Sequence, residues 1–388
     1  MSTTMNRRNW LKSGLITASS LTLAPSLVWS SPVRKTSVIW EVEHPSYYHD
    51  TAPVLKAKLN ANENPYGPSE SVKKAISEAV AVGNRYGHSD AATLIGLIAE
   101  KEGVTPDHIM LGPGSTDLLE KTAISRFMKG GNIVSADPSY MSLINTAQAI
   151  GAEWKAVPLT SDYAHDLPAM EAAVDAKTQL VYICNPNNPT GSLTEPHALR
   201  DFCSKVSEKT PVFVDEAYLE FLEDPEANSM VDLVAKGKDV IVARTFSKIH
   251  SMAGLRIGYI VATPERIKSV TDMVRSTMGL CVTSVIGALA SMKDKTFCAD
   301  CKTLNSAARN YVCTELDKMG YKYIPSYTNF VIFPMNKTIQ AESFMKSMTD
   351  NGVGIRMYSF NNEPWCRVSV GTMPEMQLFT EVFARVTA

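Results

Sequence analysis

The chain of 388 residues carries 38 Lys and Arg against 40 Asp and Glu, a formal net charge of −2, which leaves no electrostatic case for binding nucleic acid. Its length suffices to bury one large core and a smaller one. A hydrophobic content of 45% with 21 Gly and 21 Pro describes an ordinary soluble globular chain.

Residues 1–30 read as a targeting segment. Paired Arg7 and Arg8, then Trp10-Leu-Lys12, precede a weakly apolar stretch from Leu15 to Trp29, with Val28-Trp-Ser30 as a tolerable cleavage site. The pattern is similar to a twin-arginine signal, which exports proteins already folded. The expectation is a periplasmic mature protein beginning near Ser31. The stretch is too short and too rich in Ser and Thr for stable membrane insertion. Residues 31–68 form an N-terminal arm, where Trp40 to Asp50 crowds acids, aromatics and the histidines His44 and His49.

Between residues 69 and 265, short apolar runs alternate with helical patterns. The runs begin at Ile109, Ile133, Leu180, Val212, Val240 and Ile257. Several are β-branched and lack polar alternation, as in strands buried on both faces of a largely parallel sheet. Helices are predicted to start at Ser115-Thr-Asp and at Thr194-Glu-Pro. The expected class is α/β, a mostly parallel sheet sandwiched by helices. Residues 266–388 add a linker helix and a smaller α/β domain, with strands at Asn329-Phe-Val-Ile-Phe and Cys366-Arg-Val-Ser-Val, onto which the arm folds back. Seven cysteines, an odd number, exclude a complete disulfide framework. Cys298-Ala-Asp-Cys301 has no second Cys or His pair to make a zinc site, so no metal is expected and the pair reads as an oxidisable pair on a helix surface.

Three blocks carry the chemistry: Asn185-Pro-Asn-Asn188-Pro-Thr-Gly191, Asp215-Glu-Ala-Tyr218 and Arg244-Thr-Phe-Ser-Lys248 with Arg256 eight residues on. Each follows a predicted strand, where an open α/β sheet presents its ligands. Gly112-Pro-Gly-Ser115-Thr116 also follows a strand and opens a helix, a plausible phosphate cradle. An amine, an acid, a phenol, an amide and an arginine together are what holding pyridoxal 5'-phosphate requires.

With Leu59-Asn-Ala-Asn-Glu-Asn-Pro-Tyr-Gly-Pro-Ser69, Asn84-Arg-Tyr86 and Arg367-Val-Ser-Val-Gly-Thr372, these strings resemble fold-type I pyridoxal-phosphate enzymes, specifically class I/II aminotransferases. Within that class the likeness is greatest to histidinol-phosphate aminotransferases, over roughly residues 57 to 388. The resemblance implies that Lys248 forms the Schiff base and shuttles a proton, that Asp215 pairs with the pyridine nitrogen, and that Asn188 and Tyr218 hold the ring hydroxyl. Tyr140 would stack on the ring, and Ser115, Thr116, Thr245, Ser247 and Arg256 would grip the phosphate. Tyr86 would reach the partner subunit's phosphate, implying a homodimer with shared sites. Arg367 would clamp the substrate carboxylate, with Asn188 and Arg356 also at the substrate.

The expected reaction is transamination between a small-molecule amino acid, or related amine, and an oxo acid. Substrate identity stays open: where histidinol-phosphate enzymes usually carry an arginine, five residues past the Asn of their Ser-Asn-Phe string, this chain has Pro334. The arm suggests the alternative, an oxygen-dependent oxidase or hydroxylase of a basic amino acid such as arginine.

Overall fold

The computed structural model describes residues 54–274, 279–360 and 362–388. The targeting segment and the part of the arm holding His44 and His49 lie outside the described residues. Twelve strands are described: β1 Ala57–Lys58, β2 Ile109–Gly112, β3 Asn132–Asp137, β4 Glu153–Pro158, β5 Thr178–Cys184, β6 Val212–Asp215, β7 Val240–Thr245, β8 Gly258–Val261, β9 Phe330–Pro334, β10 Val353–Gly354, β11 Arg356–Phe360 and β12 Glu363–Ser369.

Seven of them form one sheet in the order β2-β8-β7-β6-β5-β3-β4. All neighbours pair in parallel except β8, which runs against both β2 and β7. Consecutive side chains point to opposite faces, and both faces are apolar. Val181, Ile183, Val212, Val214 and Val242 join the core on one side, and Leu180, Tyr182, Phe213, Ile241 and Ala243 the core on the other. This double burial is why the central strands read as unbroken β-branched runs. The edge strand β4 gave no such signal: of Glu153-Trp-Lys-Ala-Val-Pro158 only Val157 is buried.

β11, β12 and β9 make an antiparallel sheet, covered by the helices Phe297–Lys318, Ala341–Asp350 and Met373–Thr387. The last helix starts with a reciprocal capping box between Thr372 and Glu375. β1 pairs with β10 in parallel, so the described end of the arm joins the C-terminal part, with Ala57 and Leu59 in its core. Among the described residues no helix is long and apolar enough to cross a membrane.

The helix expected to open at Thr194-Glu-Pro runs over Pro196–Val206, capped by the Glu195 carboxylate, which accepts from the amides of His197 and Ala198, while Thr194 hydrogen-bonds His165 and Asn185. One local expectation needs correction. Cys298 and Cys301 do not form a surface pair. Both are free on Phe297–Lys318, Cys301 is buried, Cys298 is half-buried, and burial pushes the Cys298 thiol up to about 12.

Behind the sheet's C-terminal edge sits a buried ionic group. Arg244 on β7 donates from Nε to Glu216 Oε2 at 2.8 Å and from Nη2 to Ser229 Oγ at 2.9 Å, and lies 3.6 Å from Glu102. The remaining oxygen of Glu216 accepts from the Met230 amide at 2.7 Å. Both partners are almost fully buried, so each charge depends on the other.

Candidate active site

A cavity of about 360 Å³ opens at the C-terminal ends of the parallel strands. Because β8 is reversed, its beginning lies at that same edge, and Arg256 just before it joins the residues that follow β2, β3, β5, β6 and β7. The cavity wall includes Ser115, Thr116, Tyr140, Asn188, Asp215, Tyr218, Thr245, Ser247, Lys248 and Arg256, together with Arg356 and Arg367 from the C-terminal sheet. Tyr86, expected at the partner subunit's phosphate, does not line this cavity. Tyr86 is 76% exposed, stacked on His88 with centroids 5.6 Å apart, away from its own chain's cavity.

Asp215 is buried and accepts from the Ala217 amide at 3.1 Å and, at 3.4 Å, from the Tyr182 hydroxyl. Burial raises its carboxyl to about 6. The Lys248 amine is pulled down to about 8, chiefly by burial and then by the Arg367 charge, while Glu63 and Asp215 work the other way. Its Nζ donates to the main-chain carbonyl of Asn62 at 3.2 Å and stands 5.5 Å from the Tyr218 ring centroid. The Tyr218 ring meets Phe330 edge-on, which fixes its plane.

At the other end of the cavity, the helix Ser115–Phe127 begins without a side-chain cap, and its N-cap Gly114 has φ +86°. A Cβ at Gly114 would fall on the Arg256 guanidinium, so only glycine permits this approach. Arg256, itself left-handed at φ +49°, donates to Ser247 Oγ at 3.4 Å and to the Ala253 carbonyl at 2.9 Å. Uncapped amides, hydroxyls and a guanidinium converge here, an anion cradle. Thr116 also hydrogen-bonds the Tyr140 hydroxyl at 3.2 Å.

The third corner holds Arg367, buried between the rings of Phe330 and Tyr358, each 5.1 Å from its Cζ. Its Nη1 donates to Asn188 Oδ1 at 2.7 Å, and its Nε has no hydrogen-bond partner among the described residues. Arg356 on β11 is the register partner of Arg367 on β12.

Sequence reasoning missed Asn62 and Glu63, which also line the cavity. Both lie inside the Leu59–Ser69 string, but spacing alone attaches no chemistry to them.

An amine facing a buried acid at one end and an anion cradle at the other, on this sheet, defines a fold-type I pyridoxal-phosphate enzyme. The family described as "Aminotransferase class I and II" matches residues 55–383, and the chain belongs to it. Histidinol-phosphate aminotransferase of Moorella thermoacetica is 32% identical over 333 residues, 85% of this chain and 85% of that protein. Histidinol-phosphate aminotransferase 1 of Cupriavidus pinatubonensis is 35% identical over 330 residues, 84% and 87%. Among solved structures, that of histidinol-phosphate aminotransferase from Sinorhizobium meliloti in complex with pyridoxal-5'-phosphate superposes with a TM-score of 0.79 at 28% identity, covering 86% of this chain and 91% of that one. The protein is a pyridoxal-phosphate-dependent aminotransferase, and the relatives fit transamination, not the oxygen-dependent alternative.

The residues present fit the cofactor. Asp215 is a buried acid whose ionised form lacks a hydrogen-bonded cation among the described residues, which a protonated ring nitrogen would supply. The Gly114–Arg256 cradle suits a phosphate.

Proposed function

We propose that this cavity transaminates an amino acid or related amine bearing an anionic group, with Lys248 as the cofactor-bearing amine and proton carrier. The observation that carries the reading is the convergence of Lys248 and Asp215, from separate strands, on one cavity that ends in the Arg256 cradle. When bound, pyridoxal phosphate supplies the electron sink for the substrate α-carbon. Asp215 would hold the proton on the ring nitrogen, since the Ala217 and Tyr182 hydrogen bonds offset only part of the cost of its buried charge and a cation would offset the rest. Tyr218 and the Asn188 amide would hold the ring oxygen; the Asn188 carbonyl is already taken by Arg367, leaving its Nδ2 as donor. Ser115, Thr116, Thr245, Ser247 and Arg256, which line the cavity, would hold the phosphate, and Tyr140 would cover the ring.

Arg367 and Arg356 stand directly opposite one another across β11 and β12. Both guanidinium groups line the cavity, a pair of donors suited to a substrate anion. The relatives' name gives histidinol phosphate as one such amine. Lys248, with a pKa near 8, has an appreciable neutral fraction at slightly alkaline pH, as a base at the α-carbon requires.

We further propose a homodimer in which Tyr86, exposed on its own chain, completes the partner's phosphate site, and export of the folded protein by the twin-arginine route. Lys248→Ala should abolish both turnover and the visible band of the cofactor-loaded enzyme; a retained band would sink the assignment. Tyr86→Ala should be nearly inactive alone. Mixed with Lys248→Ala, random dimers should regain about a quarter of the activity, and no recovery would refute shared sites.

A further inference from the structure

Asn62 is buried and holds a left-handed backbone, φ +52°, a conformation asparagine tolerates better than most side chains. Its polar partners are four residues distant in the chain. Ser369 Oγ accepts from the Asn62 amide at 2.7 Å and donates to Asn62 Oδ1 at 2.9 Å. The Asn62 carbonyl accepts from Asn329 Nδ2 at 2.9 Å and from Lys248 Nζ at 3.2 Å. Asn62 Nδ2 donates to the Tyr218 hydroxyl oxygen at 3.0 Å.

Oδ1 takes the Ser369 hydroxyl proton, which places Nδ2 toward the Tyr218 oxygen. The phenol oxygen then accepts, and its own proton is left to point elsewhere, into the cavity that Tyr218 lines. The same residue gives the free Lys248 amine a fixed acceptor. We propose that Asn62 is a positioning residue that keeps the Tyr218 hydroxyl a donor into the cavity and holds the unliganded Lys248 amine, its geometry set from the C-terminal sheet through Ser369 and Asn329. The inference rests on the assignment of Lys248 and Tyr218 to the cofactor site.

Asn62→Asp tests it. The carboxylate matches the amide in shape and still accepts from Ser369, but its second oxygen accepts from the phenol and turns that proton away from the cavity. The pH midpoint of the visible band should rise by about one unit, the effect of losing one hydrogen bond to a charged oxygen. kcat should fall about tenfold with KM little changed. Asn62→Gly, which keeps the left-handed turn and removes the side chain, should do less damage than the isosteric Asp; a merely structural role predicts the reverse.

In a Tyr218→Phe background Asn62→Asp should add little. A full effect there would mean that the new charge acts directly on Lys248, and would overturn the proposal, as would wild-type behaviour of Asn62→Asp itself. Wild-type behaviour of Tyr218→Phe alone would overturn both this inference and the assignment beneath it. Should Asn62→Asp fail to fold, Ser369→Ala carries the test: it should raise the midpoint in the same direction by a smaller amount, and no shift would count against the proposal.

Discussion

Asp215 carries a charge that costs the protein stability until the cofactor arrives. Its folded carboxyl titrates near 6 against an ordinary 3.8, so between those values the native state holds a proton that the unfolded chain has released. Stability of the cofactor-free protein from this group is complete below pH 3.8 and falls as pH rises to 6. The penalty above that is on the order of 2–3 kcal/mol. Asp215→Asn should therefore raise the melting temperature of the cofactor-free enzyme at pH 8 and leave it nearly unchanged at pH 4. Turnover should fall on the order of 100-fold. A lower melting temperature at pH 8 would show that the carboxylate is not under strain. At this scale, Lys248 and Asp215 were legible in the sequence because each sits in a short block that carries its own chemistry. Asn62 was not, since its partners lie 156, 186, 267 and 307 positions away and only folding brings them to it.

The elements divide along a physical line. Central strands announce themselves because both faces are buried, so β5, β6 and β7 could be read directly. The half-wet edge strand β4 and the reversal of β8 could not, for burial pattern encodes neither edge position nor direction. The ends of β6 and β7 are tied together by the Arg244–Glu216 pair, one residue from Asp215 and from Thr245. Arg244→Ala would strand Glu216 as a buried charge and should lower unfolding free energy by about 3–5 kcal/mol. Urea unfolding measures this, and a loss below about 1 kcal/mol would mean that the pair is far better solvated than its burial implies. Cofactor affinity should fall along with it, because the same strand ends carry the acid and the phosphate hydroxyls.

For the whole molecule the chain order matters. β2, the first strand of the large sheet, sits at an edge beside β8, and β1 waits for β10 near the far end of the sequence. Contacts of such long sequence separation form late and only once most of the chain is available. A protein of this kind is poorly suited to threading across a membrane unfolded and refolding around a cofactor on the far side, which agrees with the proposed export in the folded state. Replacing Arg7 and Arg8 by Lys should leave the protein in the cytoplasm with its cofactor bound; unchanged periplasmic activity in cell fractions would sink that proposal.

The reversed strand β8 has one more consequence. Loops in a layered sheet ordinarily tolerate insertions, since their length is answerable only to the distance between two strand ends. In the proposed site the stretch from Lys248 to Arg256 answers to something else: one end would hold the cofactor's aldehyde and the other its phosphate, and both residues line one cavity at one rim of the sheet. On that proposal its eight-residue spacing works as a ruler cut to the length of a small molecule, and an insertion there should cost cofactor binding before it costs the fold.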